Sequence, residues 1–345
     1  MKNLFTWFIA LSLFAALAVI VAAAGCSKKN EGVTDIGGEA GHSGTYYVIF
    51  GVAPRWNLEL EQDGTDASFT LNGPQGTFTG TGTFSGDSLH LTGDWGGVVT
   101  ISFQLAFTEN GDTLVGLWEA SGDLRARGTV FGTKAAWQTY DIDAHGIPQF
   151  ATSDCIELSK IARVSRFRSG EGHDYSDDFE SCRSMKHYYF PKDGVDRHSV
   201  KIYSPVSGVV ICTTDEWDGD LWKGTAVNIR PFGYEAFDVA LYHMNPTDTL
   251  FVGDTVWAGQ QIGTSQKEDG TVTDMVVGLH VPAGYKYISF FQAITDDVFH
   301  RYELRGASSR DEFIITKEDR DADPLTCNGQ QFTDSGHIEN WVYLN

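Results

Sequence analysis

Apolar and polar residues alternate with a period of two between residues 45 and 133, and glycine-containing turn sequences interrupt the alternation. Such alternation is typical of strands that have one buried and one solvated face. The longest alternating run contains Val99, Ile101, Phe103, Leu105 and Phe107. Turn sequences such as Asp63-Gly64 and Gly86-Asp87 follow at a spacing that suits hairpins. The pattern predicts roughly eight short strands in an up-and-down meander that closes on itself, a small antiparallel β-barrel.

Apolar runs return in the second half of the chain, with turn residues between them. These runs are 200–203, 206–211, 226–230, 237–244 and 275–281. We interpret them as further strands. Residues 134–165 are predicted to form a connector without catalytic groups, in which 156–164 makes one short helix or strand. The whole chain is therefore predicted to be all-β, with a barrel domain at 45–133 and a second β domain at 166–345.

The N-terminus has the three parts of an export signal. Lys2 precedes an uncharged, mostly apolar run from Leu4 to Ala24, and small residues lead directly to Cys26. A charged start, an apolar run and a small-residue exit form the secretory pattern. The Ala-Ala-Gly-Cys ending resembles the bacterial lipoprotein processing site, which implies a signal peptide over 1–25 and lipidation of Cys26. The alternative is an uncleaved transmembrane helix, since 21 such residues can span a bilayer.

Residues 26–44 are predicted to be a flexible tether, because they are polar and rich in glycine. A lipid anchor at Cys26 implies a membrane-bound location in the bacterial cell envelope. Ser27 beside it resembles an outer-membrane sorting signal, which implies the outer membrane or the cell surface rather than the inner membrane. The chain carries 25 Lys and Arg against 46 Asp and Glu, a formal net charge of −21. A field of this sign repels phosphate backbones, which excludes nucleic acid as the main partner.

Besides Cys26, the sequence contains four cysteines, namely Cys155, Cys182, Cys212 and Cys327. An exported chain meets oxidising conditions, so this even number predicts two disulfides, for which three pairings remain open. A metal site built from all four cysteines is the alternative, but no C-x-x-C pair supports it.

A series of motifs follows between residues 172 and 281. They are His173-x-x-x-Asp177, a Pro-x-x-Gly turn at 205–208, Tyr242-His243 in an apolar strand, the stretch Gly253–Gly263, and His280. This order resembles the lysostaphin-type zinc endopeptidases, which cut peptidoglycan cross-bridges. The resemblance implies the antiparallel β-sheet (hybrid-motif) domain of that family, zinc as the cofactor, and peptidoglycan or an envelope peptide as the partner.

The same resemblance implies a site, residue by residue. His173, Asp177 and His280 match the three zinc ligands of the family. His243 matches a histidine that orients the attacking water or stabilises the oxyanion. Two histidines and one carboxylate leave a fourth position open for a water molecule, whose pKa zinc lowers towards roughly 7. The resemblance therefore implies hydrolysis of an amide bond by zinc-bound hydroxide.

Two positions depart from the family pattern. Gly278 stands where the family has a histidine that assists proton transfer, and Tyr175 stands where it has glycine. Loss of one general acid or base typically lowers the rate by roughly 10²–10⁴. Three hypotheses follow. The first is a lipid-anchored zinc hydrolase that acts on peptidoglycan or another peptide. The second is a non-catalytic relative, with or without the metal, that binds the cell wall or regulates a partner, and the third is a carrier whose lipocalin-like barrel encloses a small apolar ligand. The alternative to the carrier hypothesis is a barrel whose interior is filled by its own side chains.

Overall fold

The protein is described here by a computed structural model. It describes residues 41–51, 53–73, 76–108, 110–266 and 272–345. These residues form an all-β protein, as the sequence predicts. The predicted signal peptide, Cys26 and most of the predicted tether lie outside the described residues. Over the described ranges, no helix combines the length and the apolar character needed to cross a membrane.

The first eight strands form a closed antiparallel barrel. They are β1 (Gly44–Phe50), β2 (Ala53–Asp63), β3 (Asp66–Gly73), β4 (Gly76–Ser85), β5 (Ser88–Trp95), β6 (Val99–Phe107), β7 (Thr113–Gly122) and β8 (Ala126–Thr133). Each strand pairs with the next one. Strand β1 closes the barrel by pairing with β8, where Val48 lies opposite Gly132. The predicted meander is therefore confirmed, including its turns at Gly64 and Gly86.

Apolar side chains fill the interior of the barrel. Buried positions of β6 alternate with more exposed ones from Val99 to Phe107, as the period of two predicts. The ring of Phe50 packs against Trp56 and Phe103 at centroid distances of 5.0 and 5.2 Å. A cavity of about 10 Å³ among these side chains leaves room for one water molecule at most. The part of the described barrel core around this cavity is therefore closely packed.

The rest of the chain folds into a second β region with short helices. Its strands are β9 (Ile161–Ser165), β10 (His187–Pro191), β11 (Lys201–Tyr203), β12 (Gly208–Asp218), β13 (Leu221–Pro231), β14 (Phe237–Pro246), β15 (Thr255–Val256), β16 (Gln261–Ser265), β17 (Asp274–Val281), β18 (Gly284–Ile288), β19 (Thr326–Asn328), β20 (Gln331–Asp334) and β21 (Trp341–Tyr343). Its helices are α1 (Ile142–His145), α2 (Phe290–Ala293), α3 (Asp296–Glu303) and α4 (Lys317–Ala322). Strands β12, β13, β14, β17 and β18 lie side by side in this order, and all pairs are antiparallel.

Strand β8 belongs to both halves of the molecule. Its residues 131–133 pair with β1, whereas its residues 126–128 pair with β12 as far as Glu216. Gly128 permits this junction, because a Cβ atom there would lie 2.1 Å from the carbonyl oxygen of Thr213. The pairing therefore holds the Glu216 end of β12 against one end of the barrel.

One face of the sheet formed by β14, β17 and β18 carries buried tyrosines. Tyr242 comes from β14, and Tyr285 and Tyr287 come from β18. Tyr175 packs on them from the segment before β10, and its hydroxyl oxygen lies 2.7 Å from that of Tyr242. These four residues, the tyrosine cluster, cover the face of the sheet near which the predicted site residues lie.

One disulfide joins Cys182, in the segment before β10, to Cys327 on β19. Cys155 and Cys212 are free and buried in the described structure. Cys155 lies in the large core of the second β region, and Cys212 packs in a small separate cluster with Ile49. Burial raises the pKa of both thiols to about 12. The prediction of two disulfides was therefore wrong, because two of the cysteines serve as small apolar core residues.

Candidate functional site

The structure brings two of the predicted site residues, His173 and His243, to one cavity of about 350 Å³. The Nδ1 atom of His173 lies 2.9 Å from the carbonyl oxygen of Asp174. Burial, reinforced by the charge of Lys186, lowers the pKa of His173 to about 4, so its imidazole is neutral at pH 7. A neutral imidazole is the form that accepts a hydrogen bond or binds a metal ion.

His243 lies between two carboxylates near the end of β14. Its Nδ1 atom is 3.5 Å from Oε2 of Glu216, and its Nε2 atom is 3.9 Å from Oδ1 of Asp274. Its backbone φ of +54° lies in the left-handed region, which is uncommon for residues other than glycine. Gly224 on β13 accommodates this conformation, since a Cβ atom there would lie 2.8 Å from the His243 backbone. Such strain concentrates at functional sites and marks His243 as a candidate binding residue.

Both carboxylate oxygens of Asp177 accept hydrogen bonds from backbone N–H groups. Its Oδ1 atom accepts hydrogen bonds from the N–H groups of Phe179 and Glu180 at 2.9 and 3.0 Å. Its Oδ2 atom accepts one from the N–H group of Tyr287 at 3.1 Å. Burial nevertheless raises the pKa of this carboxyl group, against the effect of these bonds. In this arrangement Asp177 fixes the turn that follows it and ties that turn to β18.

His280 lies at the far end of β17, among aromatic and charged side chains. Its ring stacks on Trp137 at a centroid distance of 5.2 Å. Its Nε2 atom is 3.7 Å from Oδ2 of Asp238, whose other oxygen is 3.3 Å from the guanidinium group of Arg230. Burial lowers the pKa of His280 to about 4, although Asp238 acts in the opposite direction. The side chain of His280 thus contacts Asp238, Trp137 and Tyr285.

The strand geometry separates His280 from the other predicted residues. Asp274 and His280 lie on the same face of β17, but the strand between them spans about 20 Å. His243 adjoins the Asp274 end, and the tyrosine cluster covers the face between the two ends. Among the described residues, no group of three His, Cys, Asp or Glu side chains is arranged to hold a metal ion. The zinc set of His173, Asp177 and His280 stays a prediction that the present contacts of these residues do not assemble.

Gly278 has a packing role on the same face. A Cβ atom there would lie 1.7 Å from Oη of Tyr285, whose side chain is buried against the ring of His280. We therefore expect Gly278→Ala to lower the free energy of unfolding by about 1–3 kcal/mol, the usual effect of overpacking. Urea titration followed by tryptophan fluorescence measures the change. Gly41→Ala is the control, because nothing lies within 4 Å of a Cβ atom at that position. A Gly278→Ala variant as stable as the control would show that Tyr285 is free to move.

A buried ion pair adjoins His243. The Nζ atom of Lys186 lies 3.0 Å from Oδ2 of Asp274, and the two side chains are 3% and 0% exposed. The ammonium group also lies 3.8 Å from the ring centroid of Tyr242 and 4.3 Å from that of Tyr175. Sequence reasoning missed this pair. The one local signal is a lysine directly before the mostly buried strand β10, and only the fold identifies its partner.

A larger cleft of about 760 Å³ opens between one end of the barrel and the second β region. The barrel contributes two arginines, Arg55 and Arg125, and five aromatic side chains, which are Phe50, Trp56, Phe78, Trp95 and Trp118. The opposite wall contributes polar side chains, which include His173, Asp174, Ser176, Lys186 and Glu216. Trp217 of β12 lines this wall as well, and Arg125 lies over its ring at 4.5 Å. His173 lines both this cleft and the smaller cavity, so the two adjoin at its side chain.

Several buried polar atoms of the cleft residues have no hydrogen-bond partner among the described residues. They include the indole N–H groups of Trp56 and Trp118 and the Oε2 atom of Glu216. The two tryptophans are 3% and 6% exposed. A buried donor or acceptor without a partner costs roughly 1–3 kcal/mol. These atoms are themselves covered by protein, so a molecule bound in the cleft would reach them only after the neighbouring side chains moved.

No family model and no curated protein matches this chain. Three solved structures are similar to it at low identity. The orthorhombic crystal form of Helicobacter pylori Csd3 has 16% identity and a TM-score of 0.30, over 67% of this chain and 50% of that one. The hexagonal form has 14% identity and a TM-score of 0.26, over 74% and 56%. A zinc-containing peptidase from Vibrio cholerae has 12% identity and a TM-score of 0.26, over 71% and 87%.

This chain thus spans about half the length of the two Csd3 chains. Similarity at this level establishes neither an activity nor a metal site. The lysostaphin-type resemblance therefore stays a prediction that depends on the motifs of the sequence.

Proposed function

We propose that this protein is an envelope-anchored lipoprotein that binds peptidoglycan, or another envelope peptide, without hydrolysing it. The observation that carries the proposal is the cleft of about 760 Å³, in which an aromatic barrel end faces a polar wall. Its volume falls within the range of roughly 300–1,000 Å³ that is usual for ligand sites. The lipid anchor at Cys26 would hold this cleft close to the cell wall.

The two walls of the cleft suit the two chemical parts of a peptidoglycan fragment. Tryptophan rings such as Trp95 and Trp217 offer apolar faces on which sugar rings and aliphatic chains pack. Polar side chains of the opposite wall, such as those of His173, Asp174 and Ser176, can form hydrogen bonds with hydroxyl or amide groups. Glu216 can accept a hydrogen bond from an amide or ammonium group. A glycan with an attached peptide supplies all of these partners.

Binding is favoured over hydrolysis by the contacts of the predicted catalytic residues. The zinc mechanism needs three ligands around one ion, whereas Asp177 accepts three backbone hydrogen bonds and His280 contacts Asp238. Gly278 supplies no proton-transfer group at its position on β17. Zinc-dependent hydrolysis is the competing function, and the same experiment tests it.

Co-sedimentation with purified peptidoglycan sacculi tests the proposal. We expect the full chain in detergent to sediment with the sacculi and to release no soluble fragments. Trp217→Ala should weaken binding about tenfold or more, since truncation of a tryptophan that lines a binding site typically has a large effect. Trp257→Ala is the matched control, because Trp257 is 60% exposed and does not line the cleft. Its binding should equal that of the wild type.

Two results would contradict the proposal. Equal binding by the Trp217→Ala and Trp257→Ala variants would place the binding surface elsewhere. Release of soluble fragments, stopped by a zinc chelator and by His280→Ala, would establish hydrolysis instead.

A further inference from the structure

We propose that Lys186 supplies the cation of a centre formed by His173, His243 and Asp274, so that its ammonium group takes the place of a metal ion. This inference goes beyond peptidoglycan binding and does not depend on it. Of the predicted zinc ligands this centre includes only His173, because Asp177 and His280 are held by other contacts.

The position of the Lys186 ammonium group is closely defined. It lies 3.0 Å from Oδ2 of Asp274 and over the rings of Tyr242 and Tyr175, at 3.8 and 4.3 Å from their centroids. Ring faces and carboxylates both attract cations. The side chain is 3% exposed, so the ammonium group is held by these protein groups and is largely shielded from water. A single positive charge is therefore built into this position.

The side chains around this cation are of the types that bind a divalent metal, although with Lys186 in place no group of three described His, Cys, Asp or Glu side chains is arranged to hold one. Asp274 directs Oδ2 to Lys186, and its Oδ1 lies 3.9 Å from Nε2 of His243. His173 shares the smaller cavity with His243 and lines the larger cleft together with Lys186. Two imidazoles and one carboxylate are a common ligand set for zinc. With Lys186 in place, a zinc ion would meet an ammonium group on the same carboxylate, and the two cations would repel each other.

The inference therefore predicts that removing the ammonium group creates a metal site. Without Lys186, Asp274 becomes a buried carboxylate that lacks a counterion, which is unfavourable. A zinc ion bound by His173, His243 and Asp274 would restore the missing positive charge. The wild-type chain, in contrast, has no need of such an ion at this place.

Zinc and cobalt titrations of the full chain in detergent test whether removal of the Lys186 ammonium group creates a metal site. We expect the wild type to retain almost no zinc after dialysis and Lys186→Ala to retain about one ion per chain. Cobalt in that variant should give the visible absorption of a low-coordinate site, and Lys186→Ala/His173→Ala should lose both signals. Lys160→Ala is the matched control, because Lys160 forms a more exposed ion pair with Glu157. Its metal content should equal that of the wild type.

A second variant, Lys186→Gln, keeps an N–H donor for Asp274 and guards against misfolding of the alanine chain. A wild type that binds one zinc, lost on His173→Ala, would overturn the proposal. So would a folded Lys186 variant without zinc, or failure of both variants to fold even in added zinc, since the ion would then not replace the ammonium group. These readouts are independent of peptidoglycan binding, so either proposal can fail alone.

Discussion

Replacing Asp274 by alanine is expected to lower the free energy of unfolding by about 3–5 kcal/mol. The substitution leaves the ammonium group of Lys186, which is 3% exposed, without its carboxylate partner. A charge in this position has lost most of its hydration, so removal of the opposite charge costs far more than it would at the surface. Urea titration monitored by tryptophan fluorescence gives the change, provided that the slope of the transition is unaltered.

The ion pair of Lys160 and Glu157 is the matched control for this experiment. Its atoms are 2.9 Å apart, but its side chains are 29% and 25% exposed. Glu157→Ala should therefore change the free energy of unfolding by at most about 1 kcal/mol. Lys186→Met combined with Asp274→Ala should recover most of the loss, because it removes both buried charges. Loss of less than about 1 kcal/mol in the Asp274→Ala variant would show that the pair is hydrated.

Removing the disulfide, with Cys182→Ser and Cys327→Ser together, is expected to lower the free energy of unfolding by about 2–5 kcal/mol. The two cysteines are 145 residues apart in sequence. A cross-link that closes so long a loop strongly restricts the unfolded chain, and its loss frees that chain. The bond also holds the segment that carries Tyr175 and Lys186. Urea titrations of the oxidised wild type and the double variant measure the loss.

A reducing agent separates this effect from simple loss of thiol packing. The wild type should fall to the stability of the double variant once mass spectrometry shows the bond to be reduced, and the double variant should not respond. Cys155→Ala removes a free buried thiol and should keep the full response to reductant. An unchanged stability of the reduced wild type would mean that the cross-link does not restrict the unfolded chain.

The barrel could be predicted from the sequence because each of its strands has one face in the core and one in solvent. The alternation from Val99 to Phe107 follows burial directly, and turns at Gly64 and Gly86 mark the strand ends. Strands β14 and β17 are instead buried on both faces and show continuous apolar runs. Such runs reveal that a strand exists, but they contain no signal for its register.

The candidate site depends on that register, which is why it was predicted only in part. The motif order places a ligand at His280, yet the end of β17 that meets His243 carries Asp274. Lys186 and Asp274 are far apart in sequence, and no local pattern relates them. The prediction of two disulfides failed for a similar reason. An even number of cysteines does not distinguish a cross-linked pair from buried apolar residues such as Cys155.

One edge of β8 pairs partly with β1 and partly with β12, and the part paired with β12 affects whether the barrel can self-associate. Excised from the chain, the barrel would present an open strand edge at residues 126–128, where β12 now supplies the hydrogen bonds. Open edges template pairing with further copies and lead to aggregation. Gly128 would leave this edge without a side chain to obstruct such pairing. Strand β12 therefore covers this edge in the intact chain, and we expect the barrel expressed alone to self-associate through it.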